Sequence, residues 1–255
     1  MATGPADTAA ATRAPVRIAM WSGPRNISTA MMRAWENRAD TAVVDEPLYA
    51  HYLAETGLEH PMRDRVLAAM DTDWRAVAAT LTGPVPGGAA VFYQKHMAHH
   101  LLPGVGRDWL DGLTHCFLIR EPARVLASYL QKRERATLDD LGFAQQVEIF
   151  ERERARTGRV PPVLEARDVL ADPERLLRLL CAAVGVDFDP AMLSWPPGRR
   201  DSDGVWAPHW YHAVEASTGF APPRDEPVHL TGDLADLAAA CEPHYRRLYE
   251  HRLGT

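Results

Sequence analysis

The sequence contains few cysteines and no long apolar run. Cys116, Cys181 and Cys241 are widely spaced, and so small and odd a number favours buried, reduced thiols over a disulfide framework. No apolar stretch approaches the roughly 20 residues that cross a bilayer, and residues 1–14 lack the apolar core of a signal peptide. We therefore expect a cytoplasmic protein without a membrane span, with a disordered tail over residues 1–14 and a single domain over residues 15–255.

An excess of basic residues is also absent. The chain has 28 lysine and arginine residues against 34 aspartate and glutamate residues, which gives a formal net charge of −6. Nucleic-acid-binding surfaces need a basic patch, so this balance argues against a nucleic-acid partner. It remains compatible with a local basic pocket for a small anionic ligand.

Apolar runs that alternate with amphipathic stretches indicate the fold class. Strands are predicted at residues 16–21, 41–44, 90–93, 114–119 and 162–165. Helices are predicted at residues 28–38, 73–82, 123–133, 139–157, 173–184 and 233–253. The alternation predicts an α/β fold with a central, mainly parallel sheet flanked by helices. The segment around 194–228 is rich in proline, glycine and tryptophan, which favours a lid or substrate loop.

Residues 22–29, Ser-Gly-Pro-Arg-Asn-Ile-Ser-Thr, form the most informative segment. They join a predicted strand to a predicted helix, whose first turn has unpartnered N–H groups and partial positive charge. The segment predicts an anion site formed by Gly23, Pro24, Arg25, Asn26, Ile27, Ser28 and Thr29. It lacks the Gly-Lys-Ser/Thr that ends a Walker A motif, so it does not indicate magnesium-triphosphate chemistry.

A second junction of strand and helix has a similar character. Arg120 follows the strand predicted at 114–119, and Ser128 lies eight residues later in the next helix. Ligands of open α/β sheets bind at the carboxyl ends of the strands. Two such junctions predict a ligand with two separated anionic groups.

In their order and spacing these junctions resemble those of the sulfotransferases that use 3′-phosphoadenosine 5′-phosphosulfate (PAPS). The resemblance spans residues 16–250 and implies a P-loop NTPase-like sulfotransferase fold. It implies that the loop around Arg25, which replaces the more usual lysine, binds the 5′-phosphosulfate. It also implies that Arg120 and Ser128 bind the 3′-phosphate.

Three later segments extend the resemblance. Residues 163–174 are similar to a strand and Asp-Pro segment of the family, although its tyrosine is missing. Residues 205–210 are similar to a loop that closes over the nucleotide, which implies a role for Trp206. Arg199 lies where a late basic segment completes the 3′-phosphate site in the family, although a solvated basic residue is nearly as good an interpretation.

Sulfuryl transfer needs charge stabilisation on the leaving phosphate, a base for a hydroxyl acceptor, and a rigid seat for the nucleotide. Arg25 and Lys95, which follows the strand at 90–93, are the predicted cations. Glu46, which follows the strand at 41–44, is the preferred base and His96 is the alternative, unless the acceptor is acidic enough to need no base. A metal site at His96 and the histidines after it is disfavoured, because Met97 replaces the glutamate of a zincin motif.

The resemblance implies an enzyme that moves a sulfuryl group from PAPS to a small hydroxyl or amine acceptor, leaving adenosine 3′,5′-bisphosphate (PAP). A P-loop nucleotide kinase is an alternative, against which the missing Walker A lysine argues. A non-catalytic nucleotide-binding module is another. The sequence does not identify the acceptor, since function follows the site rather than the fold.

Overall fold

The computed structural model describes residues 14–223 and 226–254. Apart from its last residue, the tail predicted over 1–14 lies outside these ranges. Five parallel strands form one sheet with the order β2-β3-β1-β4-β5. Their bounds are β1 Val16–Ser22, β2 Thr41–Asp45, β3 Val91–Met97, β4 Thr114–Ile119 and β5 Val163–Glu165. The predicted α/β class, the five strands and the parallel sheet are confirmed.

The sheet is buried on both faces, as parallel sheets with helical crossovers are. Successive side chains of a strand point to opposite faces. In β1, Ala19 and Trp21 therefore pack into one apolar cluster, while Ile18 and Met20 pack into another. Helices cover both clusters and leave the carboxyl edge of the sheet for the connecting loops.

The helices agree with the predicted positions and add several short ones. Their bounds are α1 Ser28–Glu36, α2 Tyr49–Thr56, α3 Arg63–Ala69, α4 Trp74–Thr82, α5 Pro122–Tyr129, α6 Leu138–Leu141, α7 Phe143–Thr157, α8 Ala166–Ala171, α9 Pro173–Val184, α10 Ala207–Trp210, α11 His212–Glu215 and α12 Asp233–Tyr249. The helix predicted at 139–157 divides at Gly142, whose φ of 71° ends α6 and precedes α7. The last helix ends at Tyr249 rather than at residue 253.

The strand order places two loops beside each other at the centre of the carboxyl edge. After β1 the chain continues to β2 on one side of the sheet, and after β4 it continues to β5 on the other. Loops that leave neighbouring strands in opposite directions open a crevice, which is where α/β sheets bind ligands. Within the described ranges no helix has the length and apolarity to cross a membrane.

Candidate active site

The loop between β1 and α1 is held tightly against its neighbours. A Cβ atom at Gly23 would lie 2.5 Å from the carbonyl oxygen of Leu141, so this position requires glycine. Asn26 donates from Nδ2 to the carbonyl oxygen of Leu118 at 2.9 Å, which ties the loop to β4. The backbone of Arg25 has a φ of 56°, a left-handed conformation that costs a non-glycine residue free energy.

The N-terminus of α1 opens onto a cavity. Ile27 precedes the helix without a side-chain cap, and no acidic residue lies in the first turn. Ser28, Thr29 and Ala30 line the cavity, as do Pro24, Asn26 and Ile27. The first N–H groups and the positive end of the helix dipole therefore suit an anion here.

The two predicted anion sites form one corner. Arg120 donates from Nη1 to the carbonyl oxygen of Arg25 at 2.6 Å, and Arg25 donates from Nε to Ser128 Oγ at 3.0 Å. All three residues line the cavity. We call this group the arginine corner. The sequence predicted two separated anion sites, whereas the side chain of Arg25 crosses from the first loop to the second.

Further cations surround the corner. Arg124, Arg133 and Arg167 also line the cavity, and Arg124 pairs with Glu121 at 2.9 Å. Burial lowers the pKa of Arg25 from its ordinary value, although an arginine remains charged near neutral pH. The local charge is therefore positive in a chain whose formal net charge is −6.

A buried ion-pair cluster occupies the other end of the cavity. Lys95 Nζ donates to Glu46 Oε1 at 2.6 Å and to Asp45 Oδ1 at 2.7 Å. The backbone N–H of Glu46 also donates to the carbonyl oxygen of Lys95 at 2.9 Å, which extends the pairing of β2 with β3. Glu46 has a φ of 43° and, like Arg25, is one of the few non-glycine residues with positive φ among the described residues. Both candidate residues thus lie on strained backbone.

Two residues of the 194–223 segment complete this cluster. Tyr211 donates from its hydroxyl to Asp45 Oδ2 at 2.6 Å and accepts from Lys95 Nζ at 2.9 Å. Trp206 Nε1 donates to the same hydroxyl at 3.1 Å. Trp206 lies in the cavity wall as a buried side chain. Asp45 and Tyr211 were not predicted from the sequence, although the Asp45-Glu46 pair after a strand was an available signal for Asp45.

The charges in this cluster are unequal, because two carboxylates share one ammonium group. Burial raises the pKa of Glu46, and Asp45 adds to the rise against the opposing effect of Lys95. Burial alone would lower the pKa of Lys95, but the two carboxylates outweigh it and raise that pKa well above its ordinary value. Lys95 is therefore a stable cation, and the raised pKa of Glu46 suits a group that takes up a proton.

His96 lies away from the cavity. Lys95 and His96 are successive residues of β3, so their side chains point to opposite faces. The His96 ring stacks on Trp21 with centroids 4.3 Å apart, and its Nε2 lies 3.2 Å from Gln94 Oε1. Burial lowers the pKa of His96 to about 3. This placement corrects the expectation that His96 could reach the reacting groups.

Arg199 is also not brought to the cavity. Its side chain is 61% exposed, and its Nε lies 3.9 Å from Glu215 Oε1. The placement matches the interpretation of Arg199 as a solvated residue and corrects its assignment to the nucleotide site. Gly23 lies behind the loop and acts through the close packing described above.

One cavity of about 470 Å³ joins the arginine corner to the Glu46–Lys95 pair. Its volume is within the range of small-molecule sites. The cavity thus places the arginine corner and a carboxylate with a raised pKa in the same space.

The fold and this cavity define an α/β protein of the sulfotransferase type. A family model described as a sulfotransferase domain matches residues 16–251, and the chain belongs to that family. A solved structure described as the sulfotransferase domain from the curacin biosynthetic pathway matches with a TM-score of 0.50 and 14% identity, over 93% of this chain and 98% of that one. At this identity the match shows the shared fold.

Two curated relatives come from Arabidopsis thaliana. Branched-chain-amino-acid aminotransferase-like protein 1 is 36% identical over 93% of this chain and 42% of its own length. Branched-chain-amino-acid aminotransferase-like protein 2 is 34% identical over 92% of this chain and 41% of its own length. The chain therefore spans less than half the length of these relatives.

Proposed function

We propose that this chain is a cytoplasmic, PAPS-dependent sulfotransferase that acts on a hydroxyl or amine group of a small acceptor. The observation that carries the proposal is the single cavity with the arginine corner at one end and Glu46 at the other. A bisphosphorylated donor needs cations at one end, and a sulfuryl acceptor needs a base at the other. Membership of the sulfotransferase domain family supports the same reaction.

The residues of the arginine corner fit the anionic groups of PAPS. Arg120 and Ser128 would hold the 3′-phosphate, and the N–H groups of the first turn of α1 would hold the 5′-phosphosulfate. Arg25 bonds to Ser128 Oγ through Nε, and the described residues offer no partner to its Nη groups. In this proposal the guanidinium of Arg25 would contact both anionic ends of the donor.

PAPS supplies a sulfuryl group that is bound to phosphate through a bridging oxygen. Lys95 occupies Glu46 Oε1, whereas Glu46 Oε2 has no hydrogen-bond partner among the described residues. Glu46 accepts the proton of the acceptor as the acceptor atom bonds to sulfur and the bridging bond to sulfur breaks. Arg25 and the N–H groups of α1 stabilise the negative charge that the bridging oxygen gains. Glu46 finally releases the proton to solvent.

In this proposal Lys95 orients the base. The sequence pattern favoured a position of its ammonium group at the leaving phosphate, but Lys95 is bonded to Asp45, Glu46 and Tyr211 and is almost completely buried. It holds one carboxylate oxygen of Glu46 and leaves the other open. Arg25 and the N-terminus of α1 therefore have to stabilise the negative charge on the leaving phosphate.

Calorimetric titration with PAP and with magnesium-ATP tests the donor. We expect PAP to bind more tightly, and we expect Arg120→Ala and Ser128→Ala to weaken PAP binding by roughly 10- to 100-fold, since each removes a hydrogen bond to a charged group. Binding of adenosine 5′-phosphosulfate, which lacks the 3′-phosphate, should change much less. Arg178→Ala, at an arginine that pairs with Glu174 on the surface of α9, is the matched control.

Two outcomes would contradict the proposal. Tighter binding of magnesium-ATP would favour the kinase. Tight PAP binding without release of PAP from PAPS, with a broad set of hydroxyl and amine acceptors, would favour the non-catalytic module.

A further inference from the structure

Four side chains beyond Glu46 form a polar wall of the cavity that no proposed step uses. They are Tyr49, His60, His99 and His100, and we call them the histidine pocket. Tyr49 begins α2, and its backbone N–H donates to the carbonyl oxygen of Glu46 at 3.0 Å. The two adjacent histidines lie in the short 3₁₀ turn Ala98–His100 directly after β3, which carries Lys95. The chain therefore places this wall beside the proposed base.

The rings of the pocket support one another. Tyr49 stacks on His100 with centroids 4.7 Å apart and planes within 5°. The Tyr49 hydroxyl forms a hydrogen bond with His60 Nδ1 at 3.0 Å. Tyr52, behind the wall, meets His99 edge-on at 5.3 Å. These contacts hold the side chains of the pocket in one fixed arrangement.

Hydrogen-bonding capacity in this pocket is left unused. His99 Nδ1, His100 Nδ1 and His60 Nε2 have no partner among the described residues. His99 and His100 are 8% and 2% exposed, so bulk water does not easily replace the missing partners. A buried polar group without a partner is costly. These three nitrogens are themselves covered by protein, so a ligand in the cavity would hydrogen-bond to the other ring nitrogens, His99 Nε2 and His100 Nε2, for which no described residue is a partner.

The imidazoles are neutral at physiological pH. Burial, with a smaller effect from His60, lowers the pKa of His99 to about 3, and burial also lowers the pKa of His100. Burial and then Arg133 lower the pKa of His60 to about 4. A neutral imidazole carries one donor and one acceptor, as a hydroxyl group does.

The charges directly beside Glu46 disfavour an acidic acceptor at the reacting position. Asp45 and Glu46 exceed Lys95 by one negative charge next to the reacting position. Arg133 also lines the cavity, and its guanidinium donates to the carbonyl oxygen of Glu59 at 3.4 Å. An apolar acceptor would leave the imidazole nitrogens unpaired, and sites with such groups reject ligands that cannot pair with them.

We propose that the histidine pocket is the acceptor subsite and that it binds a neutral, polyhydroxylated molecule, with one hydroxyl at Glu46 Oε2 and neighbouring hydroxyls at His99 and His100. This inference rests on the proposed sulfotransferase function and names its class of substrate. Tyr49 and Tyr52 position the two imidazoles through ring contacts.

The test measures binding of four probes to the protein saturated with PAP, by ligand-observed nuclear magnetic resonance. The probes are sorbitol and methyl glucoside as neutral polyols, 2-naphthol as an apolar hydroxyl compound, and glucuronate as an acid. We expect both polyols to bind in competition with each other, and the same polyols to release PAP from PAPS. Preference for 2-naphthol or glucuronate, or no binding of either polyol, overturns the proposal.

Variants locate the subsite. His99→Leu should weaken polyol binding and raise the KM for the polyol about five- to tenfold, which is the effect of one hydrogen bond. His99→Gln retains a hydrogen-bonding group and should restore part of the affinity. His229→Leu, at an exposed histidine outside the cavity, is the matched control. Equal polyol binding by His99→Leu and His229→Leu overturns the proposal.

PAP binding is measured in the same samples, and it distinguishes failure of the histidine-pocket proposal from failure of the sulfotransferase proposal. Loss of the subsite alone leaves PAP affinity unchanged. Failure of PAP to bind the unmodified protein would instead contradict the sulfotransferase proposal.

Discussion

Glu46 and Asp45 are adjacent carboxylates with different roles. Both oxygens of Asp45 are engaged, Oδ1 by Lys95 and Oδ2 by the hydroxyl of Tyr211. Glu46 gives one oxygen to Lys95 and has no described partner for the other. Since only an open oxygen can take a proton from an acceptor, Asp45 positions the cluster and Glu46 is the group suited to act as the base.

Replacing Glu46 by glutamine tests this assignment. Glu46→Gln keeps the shape but removes the basicity, so we expect turnover to fall by roughly 10²–10⁴-fold while PAP affinity is retained. His96→Asn should change turnover far less, because the His96 ring packs on Trp21 outside the cavity. Rates measured with saturating donor and acceptor decide the matter, and the reverse ranking would transfer the role to His96.

The sequence predicted the position of a candidate residue where that residue directly follows a parallel strand. Arg25, Arg120 and Glu46 all follow parallel strands, so their convergence at one edge was predictable. The partners of these residues were not predictable, since Tyr211 meets Asp45 across a separation of 166 residues. Alternation within β3 already separated His96 from Lys95, whereas nothing local indicated the exposed position of Arg199.

At the scale of elements, the 194–223 segment is anchored to the sheet and to α1 by buried polar contacts. Tyr211 bonds to Asp45 at the end of β2, and Asp203 pairs with Arg33 of α1 at 2.6 Å. Both Asp203 and Arg33 have side chains at most 1% exposed. In the structure this segment is therefore a wall of the cavity, and closure of it as a lid remains a prediction.

Removing one hydroxyl tests the anchor. Tyr211→Phe leaves Asp45 Oδ2 with only the backbone N–H of Gly204 at 3.3 Å. We expect a loss of about 1–3 kcal/mol in the free energy of unfolding, measured by urea denaturation, and faster proteolysis within residues 194–223. Tyr249→Phe is the control, because no described residue bonds to the Tyr249 hydroxyl. Equal stability of the two variants would contradict the anchor.

The elements themselves were largely predictable. All five strands and the longer helices follow from apolar periodicity. The short helices α2, α3 and α8 were missed, because six to eight residues carry too little periodicity to separate a helix from a loop. The omission matters, since α2 supplies Tyr49 to the cavity.

For the whole molecule, buried neutral histidines couple stability to pH. Burial, with a smaller effect from a neighbouring histidine in each case, lowers the pKa of His96 and of His99 to about 3. The unfolded chain binds their protons near pH 6.5, whereas the folded chain does not. The contribution of these two histidines to the free energy of unfolding is therefore fully present above pH 6.5, and it is lost as the pH decreases from 6.5 toward 3.

Thermal unfolding between pH 7 and pH 4 tests this coupling. Each histidine should contribute a slope of about 1.4 kcal/mol per pH unit below pH 6. The variant His96→Gln should lose one such slope relative to the unmodified protein, and His229→Gln, at an exposed position, should lose none. Equal slopes for the three proteins would show that His96 is protonated in the folded state.

The positive φ angles of Arg25 and Glu46 imply a trade-off between stability and activity in this chain. Glycine adopts such angles without steric cost, and alanine does not. Arg25→Gly and Arg25→Ala both remove the guanidinium and should be equally inactive, yet the glycine variant should be more stable by about 1 kcal/mol in urea denaturation. The same ranking is expected for Glu46→Gly and Glu46→Ala. The protein thus keeps charged side chains where glycine would give the more durable fold, and part of its stability is given up to aim them into the cavity.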